Sequence, residues 1–221
     1  MARDFDGVGD NVDFGSDASL DNFTVKSVTA WVFISTGASN YDGIITKNGG
    51  DDLGWQWAYS TFTPSLQFYH NFNTAGGQWD TTPPTGQWVH LALSFDKSSD
   101  TNNPSIWHNA VAQTPTEVGA PSGTAATDSN HPLRLGDLAS GTTPFTGRIA
   151  HFVYHDAALT DAEVNRARWW GRPFGGVKVY HPLITAKLAN EGTATADGTA
   201  TGTTVVATVA PVQRPGMGTA Q

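Results

Sequence analysis

The sequence predicts an all-β fold: an antiparallel β-sandwich with one short helix near residues 161–168 and an extended C-terminal tail. Short segments that alternate apolar and polar residues recur along the chain, and no helical period separates them. Turn formers are frequent, with 24 Gly and 12 Pro among 221 residues. Eight Trp and 11 Phe can fill a sizeable core despite the modest aliphatic content.

The first predicted elements are a short hairpin and a long strand. The hairpin has its turn at residues 6–11, and its apolar positions are Phe5, Val12 and Phe14. The long strand covers Phe23–Ser35. Its alternation of apolar residues shifts phase once, near Lys26 and Ser27, which indicates a bulge or a kink.

Seven further segments have the length and the alternation of strands. They are Gly43–Lys47, Gly54–Ser60, Ser65–His70, Gln87–Phe95, Ser105–Asn109, Leu133–Gly136 and Thr146–Tyr154. A capping box then predicts the helix, because Thr160 stands at its N-cap and Glu163 follows three residues later. Gly171 and Pro173 end this segment.

Composition divides the chain into a β domain, residues 1–171, and an extended segment, residues 172–221. The second segment is rich in Gly, Thr and Ala and holds one or two strands, Val177–Leu183 and Thr203–Ala210. We expect it to pack on the domain or on a partner, since it has too few large apolar residues to fold alone.

Charge and cysteine content exclude several classes of function. The net charge of −8 disfavours a nucleic-acid partner. No run of Lys and Arg suggests an anionic membrane partner, so none is predicted, and no apolar run is long enough for a membrane helix. Cysteine is absent, which rules out disulfides and Cys-based zinc sites. The N-terminus lacks the apolar stretch of a secretory signal, which predicts synthesis in a cytoplasm.

Three segments in order carry a resemblance to a known family. They are FDGVGDNVDFG at residues 5–15, TVKSVTAWVFIS at 24–35 followed by GQWVHLALSFD at 86–96, and FTGRIAHFVYHDAALTDAEV at 145–164. Together they resemble the laminin-G-like, concanavalin A-like jelly-roll superfamily. The resemblance implies a jelly-roll sandwich for residues 1–171.

The C-terminal segment is similar to the ends of laminin-G-like structural proteins of tailed bacteriophages. Those ends combine a Y-x-P-L motif, a small-residue stretch with G-T-x-T-G-T, and a Pro-rich close, matched here by YHPL, GTATGT and VQRPG. The similarity implies a non-enzymatic virion protein, such as a capsid decoration or head-surface protein. Its partner would be the major capsid protein or another virion protein, and it would form a homo-oligomer, for which a trimer is natural.

An alternative function is a carbohydrate-binding module or adhesin that recognises host or environmental glycans. In the Gly-rich segment GGQWD, Trp79 is predicted to lie in a loop and is therefore a candidate for stacking on a glycan. Trp55, Trp57 and Tyr59 share one face of a strand, which either stacks on a sugar or forms the core between the sheets.

A glycosidase is a remote alternative. Glycosidases need two carboxyl groups about 5–10 Å apart. The chain has only three Glu, namely Glu117, Glu163 and Glu191, and none lies on a core strand beside an Asp. We therefore predict no catalytic residue.

Calcium is the one cofactor that the family resemblance suggests. Asp6, Asp10 and Asp13 of the opening segment are the candidate ligands, because calcium prefers carboxylate oxygens. Against this, Ala150 stands where the family carries an acidic residue, and Arg148 adds positive charge. The other interpretation is that Asp6 and Asp10 shape the hairpin turn.

A docking surface is predicted where the tail leaves the domain. Trp and Arg are enriched at the centres of protein interfaces. The candidate partner-binding residues are Trp169, Trp170, Arg172 and Tyr180.

Overall fold

Two seven-stranded antiparallel sheets pack face to face in the computed structural model, which describes residues 2–38, 41–49, 53–138, 143–170 and 177–181. This confirms the predicted β-sandwich. Sheet A contains β1 (Arg3–Asp6), β3 (Val25–Ile34), β8 (Trp88–Asp96), β9 (Ser105–His108), β10 (Val111–Gln113), β13 (Thr146–His155) and β14 (Val177–His181). Sheet B contains β2 (Val12–Asp13), β4 (Asp42–Lys47), β5 (Trp55–Ser60), β6 (Ser65–His70), β7 (Gly77–Thr81), β11 (Thr116–Gly119) and β12 (Arg134–Leu135).

The order of strands differs from their order in the sequence. Sheet A runs β1-β13-β3-β8-β9-β10, and β14 pairs with β13 beside β1. Sheet B runs β11-β7-β6-β5-β4-β12-β2. The seven shorter predicted strands each begin and end within one residue of the observed ones.

The core lies between the inner faces of the two sheets. Its largest fully buried apolar side chains are Trp55, Trp57, Trp79, Tyr154, Phe68, Phe95, Phe145 and Phe152. Several of these rings contact one another at centroid distances of 5.2–5.9 Å, which suits the offset or edge-to-face packing that aromatic rings prefer.

The predicted opening hairpin is wrong. β1 pairs with β13 in sheet A, whereas β2 pairs with β12 in sheet B. The intervening turn therefore carries the chain from one sheet to the other. The cause is that the ring of Phe5 is buried against Phe145 in the core, with centroids 5.9 Å apart, so β1 is held on the first sheet.

The predicted bulge in the long strand is also wrong. β3 pairs with β8 without interruption from Val25 to Phe33. Lys26 is the first residue of β3 whose side chain points into the core, and it is fully buried. Because this inward residue is a lysine, the apolar alternation in the sequence looks as if it shifts phase there. The bulge lies in the neighbouring strand β13, between Ala150 and Val153.

One α-helix, α1 (Asp161–Trp170), follows β13 and confirms the predicted helix, although it extends two residues further. Its capping box is formed: the backbone N–H of Thr160 donates to Glu163 Oε2 at 2.8 Å, and the N–H of Glu163 donates to Thr160 Oγ1 at 3.3 Å. A 3₁₀ helix covers Ala18–Leu20. Within the described residues, no helix has the length and apolar character needed to cross a bilayer.

The helix covers part of the outer face of sheet A. Leu159 and Val164 pack on Ala92 and Trp107 of this face. The indole N–H of Trp107 donates to Asp161 Oδ1 at 2.8 Å at the start of the helix. Near the helix end, Trp31 Nε1 donates to the carbonyl oxygen of Arg168 at 3.3 Å.

Part of the C-terminal segment belongs to sheet A. β14 pairs with β13 from Val177 to His181, so the first of the two predicted strands packs on the domain. Contacts divide the chain into two units, Met1–Ala186 and Lys187–Gln221. The second predicted strand, Thr203–Ala210, lies outside the described residues.

Candidate functional site

The outer face of sheet B carries a group of polar side chains on three adjacent strands. Residues of β5, β6 and β7 alternate between the core and this outer face. The outward residues include Gln56, Ser65, Gln67, Tyr69, Gln78 and Asp80, which we call the polar face. Register places Gln67 opposite Asp80 and Tyr69 opposite both Gln56 and Gln78.

Asp80 organises the polar face. Its Oδ2 accepts hydrogen bonds from Ser65 Oγ at 2.9 Å and from Gln67 Nε2 at 3.2 Å. Its Oδ1 accepts one from Gln78 Nε2 at 2.9 Å. The carboxylate therefore fixes the orientation of two amide side chains on neighbouring strands. These residues are half-buried, apart from Ser65, which is buried.

The polar face has the donors and acceptors to bind a ligand with many hydroxyl groups. Each amide has two N–H donors and a carbonyl acceptor, and the carboxylate has further acceptor capacity. Asp80 lacks a catalytic glutamate partner on this face, because Glu117 pairs with Trp79 and so projects from the other side of the sheet. Glu163 caps α1, and Glu191 lies outside the described residues.

The prediction for Trp79 is wrong. Trp79 lies on β7 rather than in a loop, and only 1% of its surface is exposed. Its ring stacks on Phe68 at 5.9 Å, and its indole N–H donates to Asn103 Oδ1 at 2.7 Å. A side chain on Gly77 would collide with this ring, so that glycine permits packing and does not mark a loop. Trp79 cannot stack on a glycan.

Core packing also explains the aromatic stripe of β5. Trp55, Trp57 and Tyr59 are at most 5% exposed and belong to the core cluster between the sheets. Of the two interpretations that the sequence left open, the core is therefore the observed one.

The three candidate calcium ligands are not assembled into a metal site. Asp13 Oδ2 accepts from Arg134 Nε at 2.9 Å, and Asp13 Oδ1 accepts from the N–H of Gly15 at 2.7 Å. Asp6 Oδ1 accepts from the N–H of Val8 at 2.8 Å, and Asp10 Oδ2 from the N–H of Asp6 at 3.4 Å. Asp6 and Asp10 thus shape the turn. Among the residues described, no three acidic or imidazole groups converge as metal ligands.

A buried ammonium group occupies an oxygen cage that the sequence did not reveal. Lys47 is fully buried, and its Nζ donates to Asp21 Oδ1 at 2.7 Å. The same Nζ donates to the carbonyl oxygens of His131 and Asp128, at 2.8 and 3.1 Å. A carboxylate with two backbone carbonyls is a donor set typical of a cation site. Here the positive charge comes from the chain itself.

The structure describes only part of the predicted docking surface. Trp169 at the end of α1 is 70% exposed, and Tyr180 of β14 is 41% exposed. The guanidinium of Arg168 lies 5.2 Å from the ring centroid of Trp169. The side chain of Trp170 and all of Arg172 lie outside the description, so partner binding by these residues stays a prediction.

Comparisons with known proteins agree on the fold. A family model, Laminin_G_3 of the concanavalin A-like lectin/glucanases superfamily, matches residues 6–165. A proposed carbohydrate-binding protein of Bacteroides ovatus ATCC 8483 superposes with a TM-score of 0.58 at 15% identity, covering 86% of this chain and 53% of that one. The chain thus spans about half the length of that protein.

Two further solved structures show the same fold. Trypanosoma rangeli sialidase in complex with the inhibitor DANA has a TM-score of 0.55 at 11% identity, covering 76% of this chain and 27% of that one. Domains LG4-5 of the mouse laminin alpha1 chain have a TM-score of 0.50 at 13% identity, covering 69% and 40%. No curated protein matches the sequence significantly.

Proposed function

Because the chain belongs to the concanavalin A-like lectin/glucanases superfamily, we propose that it binds carbohydrate, without cleaving it, through the polar face of sheet B. The observation that carries this proposal is the position of Asp80, which holds Gln67 and Gln78 by hydrogen bonds on two adjacent strands. Sugar hydroxyls both donate and accept hydrogen bonds, and preorganised amides and carboxylates match them without paying for reorientation.

The charge and composition of the polar face support a sugar more than an ionic ligand. Its charged group, Asp80, already accepts three hydrogen bonds from neutral side chains. Tyr69 lies between Gln56 and Gln78 and adds an aromatic ring with an apolar surface. A pyranose ring, with hydroxyls at its rim and C–H groups on its faces, fits both kinds of contact.

The placement of the carboxyl groups supports binding without hydrolysis. Glycoside hydrolysis needs an acid and a second carboxylate that flank the bond. Glu117 and Asp80 lie on opposite faces of sheet B, and Glu163 serves the helix cap. The proposed carbohydrate-binding protein with the same fold makes glycans the first ligand class to test.

Display on a virion stays a prediction. It depends on residues 172–221, of which the structure describes Val177–His181. The same segment is the basis for predicting display on phage particles, the major capsid protein or another virion protein as the partner, and a trimeric state. Mass spectrometry of purified particles would test it, and a chain missing at stoichiometric level would argue against it.

A glycan array tests the proposed function directly. We expect hits for the wild-type protein, and we expect Gln67→Ala and Asp80→Asn to weaken them about tenfold or more. Gln113→Ala is the matched control, because Gln113 is a glutamine on β10 of the other sheet. An array without hits, or hits that survive both substitutions, would refute the proposal.

A further inference from the structure

A pocket lies on the outer face of sheet A, on the part that α1 leaves uncovered. Its volume is about 570 Å³, within the range of about 300–1,000 Å³ usual for small-molecule sites. It is lined by Ala2, Asp4, Trp31, Trp88, Arg148, Ala150 and His151. None of these residues belongs to the polar face, which lies on the other sheet.

Aromatic rings form one side of this pocket and are held in place. Trp88 is 38% exposed, and its ring meets Phe33 edge-on at 5.9 Å. Trp31 bonds through its indole N–H to the carbonyl of Arg168, and its ring meets His90 edge-on at 5.5 Å. A fixed and partly exposed indole offers an apolar surface at little entropic cost.

An ion pair forms the other side of the pocket. Arg148 Nε donates to Asp4 Oδ1 at 2.6 Å, and the guanidinium lies 5.4 Å from the ring centroid of Phe33. Asp4 and Arg148 are 144 residues apart in the sequence, but the pairing of β1 with β13 places them side by side. The pair places several N–H donors beside a carboxylate acceptor, and its two charges offset each other.

A β-bulge brings His151 to the pocket. The extra residue in β13 falls between Ala150 and Val153, and His151 has a backbone φ of +51°. Such a conformation is unfavourable for residues other than glycine, and it persists where the surroundings enforce it, often beside a functional site. His151 Nδ1 is buried and makes no hydrogen bond within the described part of the chain. Burial lowers the pKa of His151, which favours a neutral imidazole at pH 7.

We propose that this pocket is a second carbohydrate-binding site, in which a neutral sugar ring packs on Trp88 and hydrogen bonds through neighbouring hydroxyls to Asp4 and Arg148. Neutrality follows from the ion pair. An acidic sugar could pair with Arg148 only by bringing its carboxylate towards Asp4, and an amino sugar could pair with Asp4 only by bringing its ammonium towards Arg148. A polyol satisfies the acceptor and the donors together, as neither charged group must be left unpaired.

The two sites would make the protein bivalent. They lie on the outer faces of opposite sheets, so one sugar ring cannot occupy both. Two glycan chains could therefore be joined by one molecule, and avidity on a surface dense in glycans would exceed the affinity of either site. The second site shares its ligand class with the proposed function but does not depend on the polar face, whereas the bivalency rests on both sites.

Ligand-observed NMR and tryptophan fluorescence would test the pocket. The probes are methyl β-D-glucopyranoside, methyl α-D-mannopyranoside and N-acetylglucosamine, with glucuronic acid and glucosamine as the charged counterparts. We expect binding of at least one neutral probe with a Kd of about 1 mM in the Gln67→Ala background, where the polar face does not contribute, weakened about tenfold by the further change Trp88→Ala or Arg148→Met. Val111→Ala is the control, since Val111 is an exposed apolar residue of sheet A that does not line the pocket. Asp4→Asn should improve binding of glucuronic acid relative to the neutral probes.

The outcomes separate this inference from the proposed function. If Trp88→Ala weakens binding and Gln67→Ala does not, the second site stands and the polar face fails. If Gln67→Ala removes all binding and Trp88→Ala none, the second site is overturned and the polar face stands. Absence of neutral-probe binding at about 50 mM, far above a millimolar Kd, also overturns it. Beads coated with the bound sugar should aggregate with wild type and remain dispersed with either single variant.

Discussion

The side-chain nitrogen of Lys26 lies 2.9 Å from Nε2 of His70 in the core between the two sheets, and both side chains are fully buried. His70 Nδ1 lies 2.9 Å from the carbonyl oxygen of Asn71 and donates to it, so Nε2 accepts from Lys26. Burial lowers the pKa of Lys26 to about 7 and holds the pKa of His70 well below its usual 6.5.

Stability should therefore rise with pH on the alkaline side. Between about pH 7 and 10 the unfolded chain keeps a proton on Lys26 that the folded protein has lost, because the folded pKa is near 7 and the ordinary value is 10.5. The free energy of unfolding should increase by up to about 1.4 kcal/mol per pH unit in this range. Urea denaturation at pH 7, 8 and 9 measures it. Lys26→Met should flatten the slope, whereas Lys178→Met, an exposed control, should not. Equal slopes for wild type and Lys26→Met would contradict the assignment.

Removal of Lys47 should be costly. Lys47→Met leaves Asp21 and two carbonyl oxygens facing an apolar group in a buried cage. Loss of one partner of a buried pair costs about 3–5 kcal/mol. Lys178→Met breaks the exposed pair with Asp156 and should cost at most about 1 kcal/mol. Chemical denaturation of both variants tests the difference, and equal losses would count against a structural role of the cage.

Calcium should not affect wild-type stability. The ammonium of Lys47 already neutralises the cage, and Asp6, Asp10 and Asp13 are engaged by backbone groups or Arg134. We expect thermal unfolding in EDTA and in CaCl₂ to give the same Tm. A rise of several degrees with calcium would reveal a binding site and would require a different account of these carboxylates.

Substitution of Trp79 should impair folding and leave glycan contacts alone. The ring fills the core against Phe68 and Phe95. Trp79→Ala should lower the free energy of unfolding by about 3–5 kcal/mol. Trp169→Ala, which removes an exposed ring, should be nearly neutral. Full stability of Trp79→Ala together with loss of glycan binding would contradict the core position of Trp79 and would indicate that its ring contacts the glycan.

The cap of α1 offers a milder test. Thr160 and Glu163 exchange hydrogen bonds at the start of the helix. Thr160→Ala should cost about 1 kcal/mol, and Thr160→Ser should restore most of it. Hydrogen exchange of the amides in the first turn of α1 should detect this local loss of stability under conditions in which the sheets stay folded.

The fold was predictable because alternation and turn residues act locally. The strand segments and the capping box of α1 each lie within a few residues, so the sequence displays them directly. β7 was not predicted, because the two glycines shortly before Trp79 indicated a loop. Only the packed ring of Trp79 in the structure explains why residue 77 is a glycine. Lys26 broke the apolar pattern of β3 for a similar reason, since its partner His70 is 44 residues away.

The candidate sites depend on pairings across the sheets and could not be found from spacing. Gln67 and Asp80 meet through the register of β6 and β7, and Asp4 meets Arg148 through β1 and β13. Polar residues at alternate positions of two consecutive predicted strands were the available signal for the polar face. A bulge that moves His151 by one position has no signature in the residues around it.

The position of β13 has a consequence for how the chain is made. β13 lies between β1 and β3 in sheet A, yet it is the last of these three strands to leave a ribosome. Until residues 146–155 emerge, β1 has no neighbour and β3 presents an unpaired edge of apolar character. Such edges invite association with other nascent chains. We expect fragments that stop before residue 146 to aggregate or bind chaperones, and the complete domain to fold only late in its synthesis.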